Sequence, residues 1–577
     1  MFKAISDTLS AYTGGTGHND ADDDGEMSES RRDFIPLDVD GGGGGNDYED
    51  DHPMTTVGLE GDAAAAAADL KPSEYTDAKP DELQEVSLAS YSIEDAVNHG
   101  GFGRFQKRLM VLCGVCWMAD AMEMQLLSYL QSAVACEFEG RVHTAVGATL
   151  SSAVFFGMLL GAIFWGVLSD NIGRRPVFLC SGTLSLCAGI ASAFSASELQ
   201  VILARFVVGF GIPGGTVAFT LFSEYLPTAS RGGMLVAIAG FYSCGAILEA
   251  LLGWLFLPMS GHYTGGWRAL CLATAVPLFG SMCVGYFLLP ESARYLLSKG
   301  RRDECAIQLK KMLDTNRRPP VPSDQGQLEG PPTFSATGRT YPWHLFCGTG
   351  DSQQGRLVLT LAAIWFSSAF VYYGVVLFAT SYASVRYSGQ EASSVADNLC
   401  TDPRSLYTDE GFLSVFVTTC AEMPGLLMAY FFVRKGRVRT ISALLMGTAS
   451  VSAVAAVVHL VTSAEPGGAG TLATYSVVGL IFISRAFITG AYQAVYVYTP
   501  EVFSTRVRTT AMGILSACSR LGGGTAPFVV ALLPIQAQLG FFCVIAFAAS
   551  FLSLVKLPES GDLDMAEDNR VAADQAN

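Results

Sequence analysis

Long apolar stretches alternate with short polar connections from about residue 100 to residue 560. Twelve of these stretches reach the length of about 20 residues that a helix needs to cross a bilayer. They are predicted at 108–132, 146–168, 177–196, 199–222, 234–257, 268–289, 356–383, 411–433, 440–461, 473–498, 510–533 and 538–557. The pattern predicts an all-α membrane protein with twelve transmembrane helices.

Basic residues are concentrated on one side of the predicted membrane. The loop with Arg174 and Arg175 and the connection 291–355 lie on that side. The arginines of the opposite connections are few: Arg141, Arg268, Arg386 and Arg404. Because short basic connections stay in the cytosol during insertion, both termini are predicted to be cytosolic. The membrane is predicted to be the plasma membrane or that of a vesicle or another internal compartment.

Composition agrees with a membrane protein, and the charge is unevenly placed. Half of the 577 residues are hydrophobic and 15% are charged, with a mean hydropathy of +0.35, which excludes an ordinary soluble enzyme. The net charge is −17, and residues 1–100 alone carry −19. That segment is rich in glycine and alanine and has too little apolar surface to fold. It is predicted to be a disordered acidic cytosolic tail.

Short motifs occur twice, once in each set of six predicted helices. Leu-Pro-Glu-Ser ends the sixth apolar stretch at 289–292 and the twelfth at 557–560. After the fourth stretch, and again after the tenth, a glutamate stands seven residues before an arginine. The two pairs are Glu224 with Arg231 and Glu501 with Arg508.

This repetition predicts two six-helix halves, 101–290 and 356–560. The polar connection 291–355 is predicted to be a cytosolic linker that carries one amphipathic helix near 303–313. Residues 561–577 are predicted to form a second cytosolic tail.

The connection between the second and third apolar stretches is short and charged. It reads Gly-Val-Leu-Ser-Asp-Asn-Ile-Gly-Arg-Arg-Pro at 166–176. The pattern Gly-x-x-x-Asp-x-x-Gly-Arg-Arg between two membrane helices resembles the signature loop of the major facilitator superfamily. The resemblance implies the major facilitator fold, with Asp170, Gly173, Arg174 and Arg175 at the cytosolic gate.

The gate is expected to work through charge. Asp170 is predicted to accept hydrogen bonds from the N–H groups that open the eleventh helix, near Thr509 and Thr510, and so to latch the halves together. Other charged residues at cytosolic helix ends are interpreted as salt bridges of the gate: Glu224, Arg231, Glu501 and Arg508. The second copy of the loop has Val433 in place of the aspartate, which leaves its gating role open.

Further motifs resemble one branch of that superfamily, the synaptic vesicle 2-related proteins. They lie at 101–106, 117–124, 205–211, 422–425 and 498–502. Relatives of this branch carry nicotinate, organic cations, organic anions and sugars. The resemblance implies a secondary active transporter of small organic solutes that works by alternating access, and not an enzyme. The alternative is a protein of the same fold that has lost transport and serves as a vesicle component or receptor.

Seven ionisable residues lie inside predicted helices, where each costs free energy unless it is paired or hydrated. They are Asp120, Glu123, Arg205, Glu249, Glu422, Arg485 and Arg520. All except Arg485 are assigned to substrate binding or ion coupling.

Two ion pairs are predicted among them. The depths of Asp120 and Arg205, estimated from a rise of about 1.5 Å per residue, nearly coincide. Glu422 and Arg520 both come out near the midplane, which suits a second ion pair or a couple that binds an ion. Proton-coupled sugar porters pair a carboxylate of the first helix with an arginine of the fourth, so the resemblance implies Asp120 as the proton acceptor. The alternative is a pair that only locks two helices together.

Tyr372 and Tyr373 of the seventh helix are candidate substrate contacts, because their rings can stack on a planar solute; lipid contact is the alternative. Cys136 and Cys400 lie in loops on the outer side and are a candidate disulfide pair. No cofactor, metal or nucleic-acid site is expected. The expected partners are a small-molecule substrate, protons and the lipid bilayer, with the protein acting as a monomer.

Overall fold

A computed structural model describes most of the chain beyond the acidic segment. The described residues are 91–139, 145–258, 263–319, 352–387, 408–463, 471–503 and 508–559. Residues 1–90, the linker at 320–351 and residues 560–577 lie outside these ranges, and what the sequence predicts for them stays a prediction.

The first half of the chain and the linker form ten helices in the described residues. They are α1 (Ile93–Gly100), α2 (Arg104–Glu139), α3 (Ala145–Ile172), α4 (Arg174–Ala193), α5 (Glu198–Gly211), α6 (Pro213–Glu224), α7 (Thr228–Phe256), α8 (Tyr263–Leu288), α9 (Ala293–Ser298) and α10 (Arg302–Thr315).

The second half continues this numbering. Its helices are α11 (Ser352–Tyr387), α12 (Asp409–Cys420), α13 (Glu422–Phe432), α14 (Arg437–Ser463), α15 (Thr471–Val502), α16 (Arg508–Leu532) and α17 (Ile535–Lys556). A short 3₁₀ turn, Val433–Lys435, follows α13.

Twelve segments of the described chain are helical, long and apolar enough to cross a membrane, which confirms the predicted all-α fold class with twelve spans. The fourth span consists of α5 and α6, and the eighth of α12 and α13. Pro213 begins α6, and because proline has no backbone N–H it interrupts the hydrogen-bond ladder there.

Successive spans run in opposite directions, so alternate connections lie on the same side of the bundle. Glu291, which follows α8, contacts the start of α4, and Glu559, which follows α17, contacts the start of α14. We call this side the basic face, because it carries Arg174, Arg231 and Arg437. The opposite side is the far face.

Helix α1 lies within the predicted disordered tail, so the predicted boundary of that tail is wrong. Ser92 Oγ accepts a hydrogen bond from Asp95 N at 3.2 Å and donates one to Asp95 Oδ2 at 2.7 Å, which caps the helix. The hydrogen bond from the Ser92 hydroxyl lowers the pKa of Asp95. Ile93, Ala96 and Val97 share one buried face. The average composition of the tail hides this short amphipathic pattern.

Helix α1 is fastened to both α10 and α7. Asn316, directly after α10, donates from Nδ2 to Gly100 O at 3.1 Å. Asn98 Oδ1 accepts a hydrogen bond from the N–H of Thr228, the first residue of α7, at 3.0 Å. Helix α10 overlaps the amphipathic helix predicted at 303–313. Helix α1, directly before the first span, is therefore part of the folded basic face.

The two halves touch between mid-depth and the far face. Arg485 Nη2 of α15 donates to Gln125 Oε1 of α2 at 3.0 Å. Closer to the far face, Trp254 Nε1 of α7 lies 3.2 Å from Asp409 Oδ1 of α12. The ion pairs of described residues at the basic face join helices of the same half. The structure is therefore closed at the far face.

Candidate functional site

The N-terminal half contains a buried charged cluster around Arg205 of α5. The Arg205 side chain is 1% exposed, and its Nη1 lies 2.6 Å from Glu123 Oε2 of α2. Its Nη2 donates to Ser192 Oγ at 2.7 Å and approaches Cys271 Sγ at 3.0 Å. A buried guanidinium needs both an opposite charge and acceptors for its remaining N–H groups. Glu123 supplies the charge and Ser192 an acceptor.

Glu249 of α7 extends this cluster. It is 0% exposed, and its two oxygens lie 2.9 and 3.0 Å from Thr274 Oγ1 of α8. No ion pair of Glu249 occurs among the described residues, although the charges of Glu123 and Arg205 both act on it. The cluster therefore combines two carboxylates with one guanidinium.

The predicted pair of Asp120 with Arg205 is wrong, because Arg205 pairs with Glu123. Both carboxylates share one face of α2, and one turn separates them. Asp120 instead faces α6 at Gly215, where an added Cβ would collide with its carboxylate. The prediction estimated the depth of Asp120 from the cytosolic surface and that of Arg205 from the outer surface of a core about 30 Å thick. Helix α2 has 36 residues and is longer than that core, so the estimated depth of Asp120 was inaccurate.

The C-terminal half contains a second buried pair. Glu422, the first residue of α13, is 1% exposed, and its Oε1 lies 2.8 Å from Arg485 Nη2 of α15. Tyr372 OH donates to the same Oε1 at 2.9 Å. Arg485 also donates from Nη1 to Thr419 Oγ1 at 3.1 Å. Because Arg485 also bonds Gln125, this pair belongs to the interface between the halves.

The predicted pair of Glu422 with Arg520 is also wrong. Helix α13 packs closely against α15, where an added Cβ at Gly425 would collide with Ala486 O. This contact directs Glu422 to Arg485. The sequence identifies Arg485 as an ionisable residue inside a span, but its depth alone does not reveal its partner.

Asp120 and Arg520 have no partner of opposite charge among the described residues. Arg520 is 8% exposed, and its Nη1 donates to Ser516 O at 3.0 Å and to Ser516 Oγ. Arg520 Nε is buried without a hydrogen-bond acceptor. Asp120 is partly exposed. Each half therefore contains one ionisable residue inside a span that lies outside the paired clusters.

Both candidate tyrosines point into the protein. Tyr372 is 5% exposed and bonds Glu422, which excludes lipid contact for its hydroxyl. The Tyr373 ring packs edge-on against Phe155 of α3 at 4.7 Å, across the interface between the halves. Tyr492 of α15 lies 5.6 Å from the Tyr372 ring. These aromatic rings surround the second ion pair at mid-depth.

The loop between α3 and α4 is held by a glutamate. Gly173 adopts φ 107, and an added Cβ would collide with Glu291. Glu291 Oε1 accepts hydrogen bonds from the backbone N–H of Arg174 at 2.8 Å and of Arg175 at 3.4 Å. A carboxylate in this place satisfies the free N–H groups and favours the positive end of the helix dipole. Glycine is required here by both conformation and space.

The predicted gate residues take part in this arrangement. Asp170 Oδ1 accepts from Arg174 Nη1 at 2.8 Å, and the Asp170 side chain is 72% exposed. Arg174 Nε lies 3.8 Å from Glu224 Oε1, and Glu224 also accepts a hydrogen bond from Ser292. Arg231 pairs with Glu94 of α1 at 3.2 Å. All these contacts lie within the N-terminal half.

The C-terminal half repeats the arrangement without the aspartate. Gly436 adopts φ 155, and Glu559 accepts hydrogen bonds from the N–H groups of Arg437 at 3.1 Å and Arg439 at 3.2 Å. Arg437 Nε lies 3.0 Å from Glu501 Oε2. The role of Glu291 and Glu559 was missed in the sequence, although the repeated Leu-Pro-Glu-Ser motif marked both.

Two predictions fall on residues that the structure leaves undescribed. The side chains of Arg508, Thr509 and Thr510 are among them, so the Asp170 latch stays a prediction. Cys136 is disulfide-bonded, and its partner lies outside the described residues, as does Cys400.

Solved structures with this fold are transporters. The chain aligns with the inward open conformation of the xylose transporter XylE from E. coli at a TM-score of 0.56 and 15% identity, covering 79% of this chain and 97% of that one. A crystal structure of a D-xylose-proton symporter aligns at a TM-score of 0.58 and 15% identity, covering 78% and 98%. At this identity the likeness shows the fold alone.

Sequence comparison is more specific. The Synaptic vesicle 2-related protein of Xenopus laevis is 34% identical over 468 residues, which cover 78% of this chain and 77% of that protein. The Organic cation/carnitine transporter 7 of Arabidopsis thaliana is 30% identical over 467 residues, covering 76% and 88%. The profile of the family described as Sugar (and other) transporter matches residues 112–560. With its twelve spans and its buried intramembrane charges, the chain belongs to the Sugar (and other) transporter family.

Proposed function

We propose that this transporter carries a small organic solute by alternating access in symport with protons. Its family is named for sugar transport, one relative is named for organic cation and carnitine transport, and one solved structure with this fold is a proton symporter. These names support a small organic substrate but differ in its charge. The basic face is placed in the cytosol, since basic connections stay on that side.

The Arg205 cluster carries the proposal of proton coupling. Two carboxylates, Glu123 and Glu249, share one guanidinium in a site where each is 5% exposed or less. A buried carboxylate without a counter-charge is far more costly than its neutral form. The cluster therefore holds one proton in this conformation, and movement of α2 against α5 and α7 changes how tightly it is held. Because Asp120 does not pair with Arg205, the proton is assigned to Glu123 and Glu249 and not to Asp120.

Alternating access is supported by where the halves touch. Cross-half hydrogen bonds lie between mid-depth and the far face, whereas the described ion pairs of the basic face stay within a half. A rocking motion can then open one side and close the other. In the state closed at the basic face, Asp170 is proposed to accept hydrogen bonds from the N–H groups near Thr509 and Thr510 across the gate.

The test is uptake into proteoliposomes with and without an inward proton gradient. The solutes are nicotinate, hexoses, organic cations, organic anions and carnitine. Glu249→Gln, which mimics the protonated form, is expected to retain substrate exchange and to lose gradient-driven accumulation. Glu137→Gln is the matched control, because Glu137 pairs with Arg268 outside the cluster. It is expected to keep the accumulation.

Two outcomes would contradict the proposal. If wild-type uptake ignores the proton gradient, the cluster is structural and the carrier is a uniporter or uses another ion. If no solute is taken up but ligands still bind, the alternative of a vesicle component or receptor is favoured. Val433, which replaces the aspartate of the second gate loop, is the observation that supports this alternative.

A further inference from the structure

The intramembrane charges do not all find partners, and the two that remain have opposite signs. Arg205 and Arg485 are paired with carboxylates, and Glu249 belongs to the Arg205 cluster. Asp120 in the N-terminal half and Arg520 in the C-terminal half have no partner of opposite charge among the described residues. A charge without a counter-charge is costly inside a membrane protein. Asp120 and Arg520 therefore both point to a ligand that supplies the opposite charges.

Asp120 lies beside an aromatic surface. Trp117, one turn earlier on α2, stacks on Phe219 of α6 at 5.2 Å, and its ring lies 6.3 Å from Tyr242 of α7. Gly215, one turn before Phe219 on α6, leaves the space that the Asp120 carboxylate fills. A carboxylate one turn from a Trp ring that packs with Phe and Tyr rings is a setting that favours an alkylammonium group. This surface, Trp117 with Phe219 and Tyr242, is called the aromatic wall.

Arg520 offers the complementary chemistry. Its described hydrogen bonds go to Ser516 alone, and its buried Nε has no acceptor. The charge of Arg520 also acts on Tyr373 of α11. A guanidinium with free N–H groups binds a carboxylate through two parallel hydrogen bonds. Arg520 therefore suits a carboxylate of the substrate.

The two places are linked across the interface. Tyr242 of the aromatic wall interacts with Tyr373 of α11 through their hydroxyl groups. Tyr373 also packs against α16 at Gly523, one turn after Arg520, where an added Cβ would lie 2.9 Å from its ring. The contact between Tyr242 and Tyr373 therefore joins the aromatic wall to the helix that carries Arg520.

From this geometry we propose that the substrate is a small zwitterion. Its alkylammonium group binds Asp120 and the aromatic wall, and its carboxylate binds Arg520. A ligand held from both halves draws them together, as occlusion during transport requires. The inference rests on the proposed transport function and specifies its substrate class.

An organic anion that enters with a proton on Asp120 would satisfy the same charges. The aromatic wall favours the zwitterion, because a protonated carboxyl gains nothing from three neighbouring ring faces.

The test compares three probes of one shape on the purified full-length protein by titration calorimetry. Carnitine is the zwitterion, its methyl ester is the matched cation, and 3-hydroxy-5,5-dimethylhexanoate is the matched anion, with a tert-butyl group in place of trimethylammonium. Wild type is expected to bind carnitine at least about tenfold more tightly than either analogue, since each loses one charged contact.

Two variants locate the contacts. Asp120→Asn is expected to abolish the preference for carnitine over the tert-butyl anion and to keep the preference over the ester. Arg520→Gln is expected to do the reverse. The comparison on wild type needs neither variant, so poor folding of one does not remove the test.

The results separate this inference from the transport proposal. If the tert-butyl anion binds as tightly as carnitine, and more tightly in acid, Asp120 carries a proton and the zwitterion is overturned while transport stands. If the ester binds best, Arg520 is not a substrate contact. If none of the probes binds but another solute is accumulated, the inference fails alone. If carnitine binds as expected but nothing is transported, the transport proposal fails alone.

Discussion

In each half of the molecule, one buried arginine forms an ion pair with a carboxylate from another helix. Arg205 is paired with Glu123 and Arg485 with Glu422, all within the described spans. Such pairs are poor sources of net stability, but breaking one leaves a buried charge uncompensated. They fix which helices stay together, while Asp120 and Arg520, which lie outside the pairs, are the residues proposed to bind the substrate.

The sequence located the ionisable residues that lie inside the spans, but it did not predict which of them form pairs. Any ionisable residue inside an apolar stretch attracts attention because it is costly there. Asp120 and Glu123, however, differ by only about 4.5 Å along the helix axis, which is less than the error of a predicted helix end. The choice between them depends on Gly215 and on the break before Pro213, which are features of packing.

A prediction at this scale concerns Gly173. Gly173→Ala is expected to destabilise the protein by about 1–3 kcal/mol, because alanine disfavours a positive φ and its Cβ would displace the Glu291 carboxylate from the start of α4. The measurement is the thermal unfolding midpoint of purified protein. Gly166→Ala is the matched control, since an added Cβ there meets nothing within 4 Å. Equal midpoints for both variants would show that the Glu291 cap contributes little.

Helix α1 was not predicted, because the average composition of residues 1–100 conceals it. Twenty-four acidic residues dominate residues 1–100 and hide eight residues that form an amphipathic helix. The Ser92–Asp95 cap and the buried Ile93, Ala96 and Val97 were readable locally. What no local pattern revealed is the role of Asn98, since its partner Thr228 is 130 residues away.

Asn98 should act as a cap for a helix other than its own. Asn98→Ala is expected to remove the acceptor for Thr228 N–H and to cost about 1 kcal/mol at the start of α7. Amide hydrogen exchange of the first turn of α7 should then be about fivefold faster, since exchange reports local opening. Asn98→Asp keeps an acceptor oxygen and serves as the control. The assignment is wrong if Ala and Asp variants exchange alike.

For the whole molecule, the repeated motifs predicted two six-helix halves and left their relative position undetermined. A carrier must be nearly as stable closed at one face as at the other, so one sequence encodes both arrangements. The same helices form in both states, so the hydrophobic pattern does not indicate which face is closed. The state seen here depends on a few contacts between halves, such as Trp254 with Asp409.

That contact gives a prediction about the equilibrium between the two states. Trp254→Phe keeps the ring and loses the hydrogen bond to Asp409, which removes about 1 kcal/mol from the state closed at the far face. A population shift of about fivefold toward far-side opening is expected. The reporter is a cysteine in place of Ser132, which is 6% exposed here, and the measurement is its rate of labelling by a membrane-impermeant maleimide.

The control uses the same substitution at the same face. Trp267 Nε1 donates to Glu137 at 2.6 Å, but both residues belong to the N-terminal half. Trp267→Phe removes a comparable hydrogen bond from both states equally, so it should lower the unfolding midpoint and leave the labelling rate unchanged. Equal acceleration of labelling in both variants would mean that the Trp254 contact stabilises the fold and not one state of the cycle.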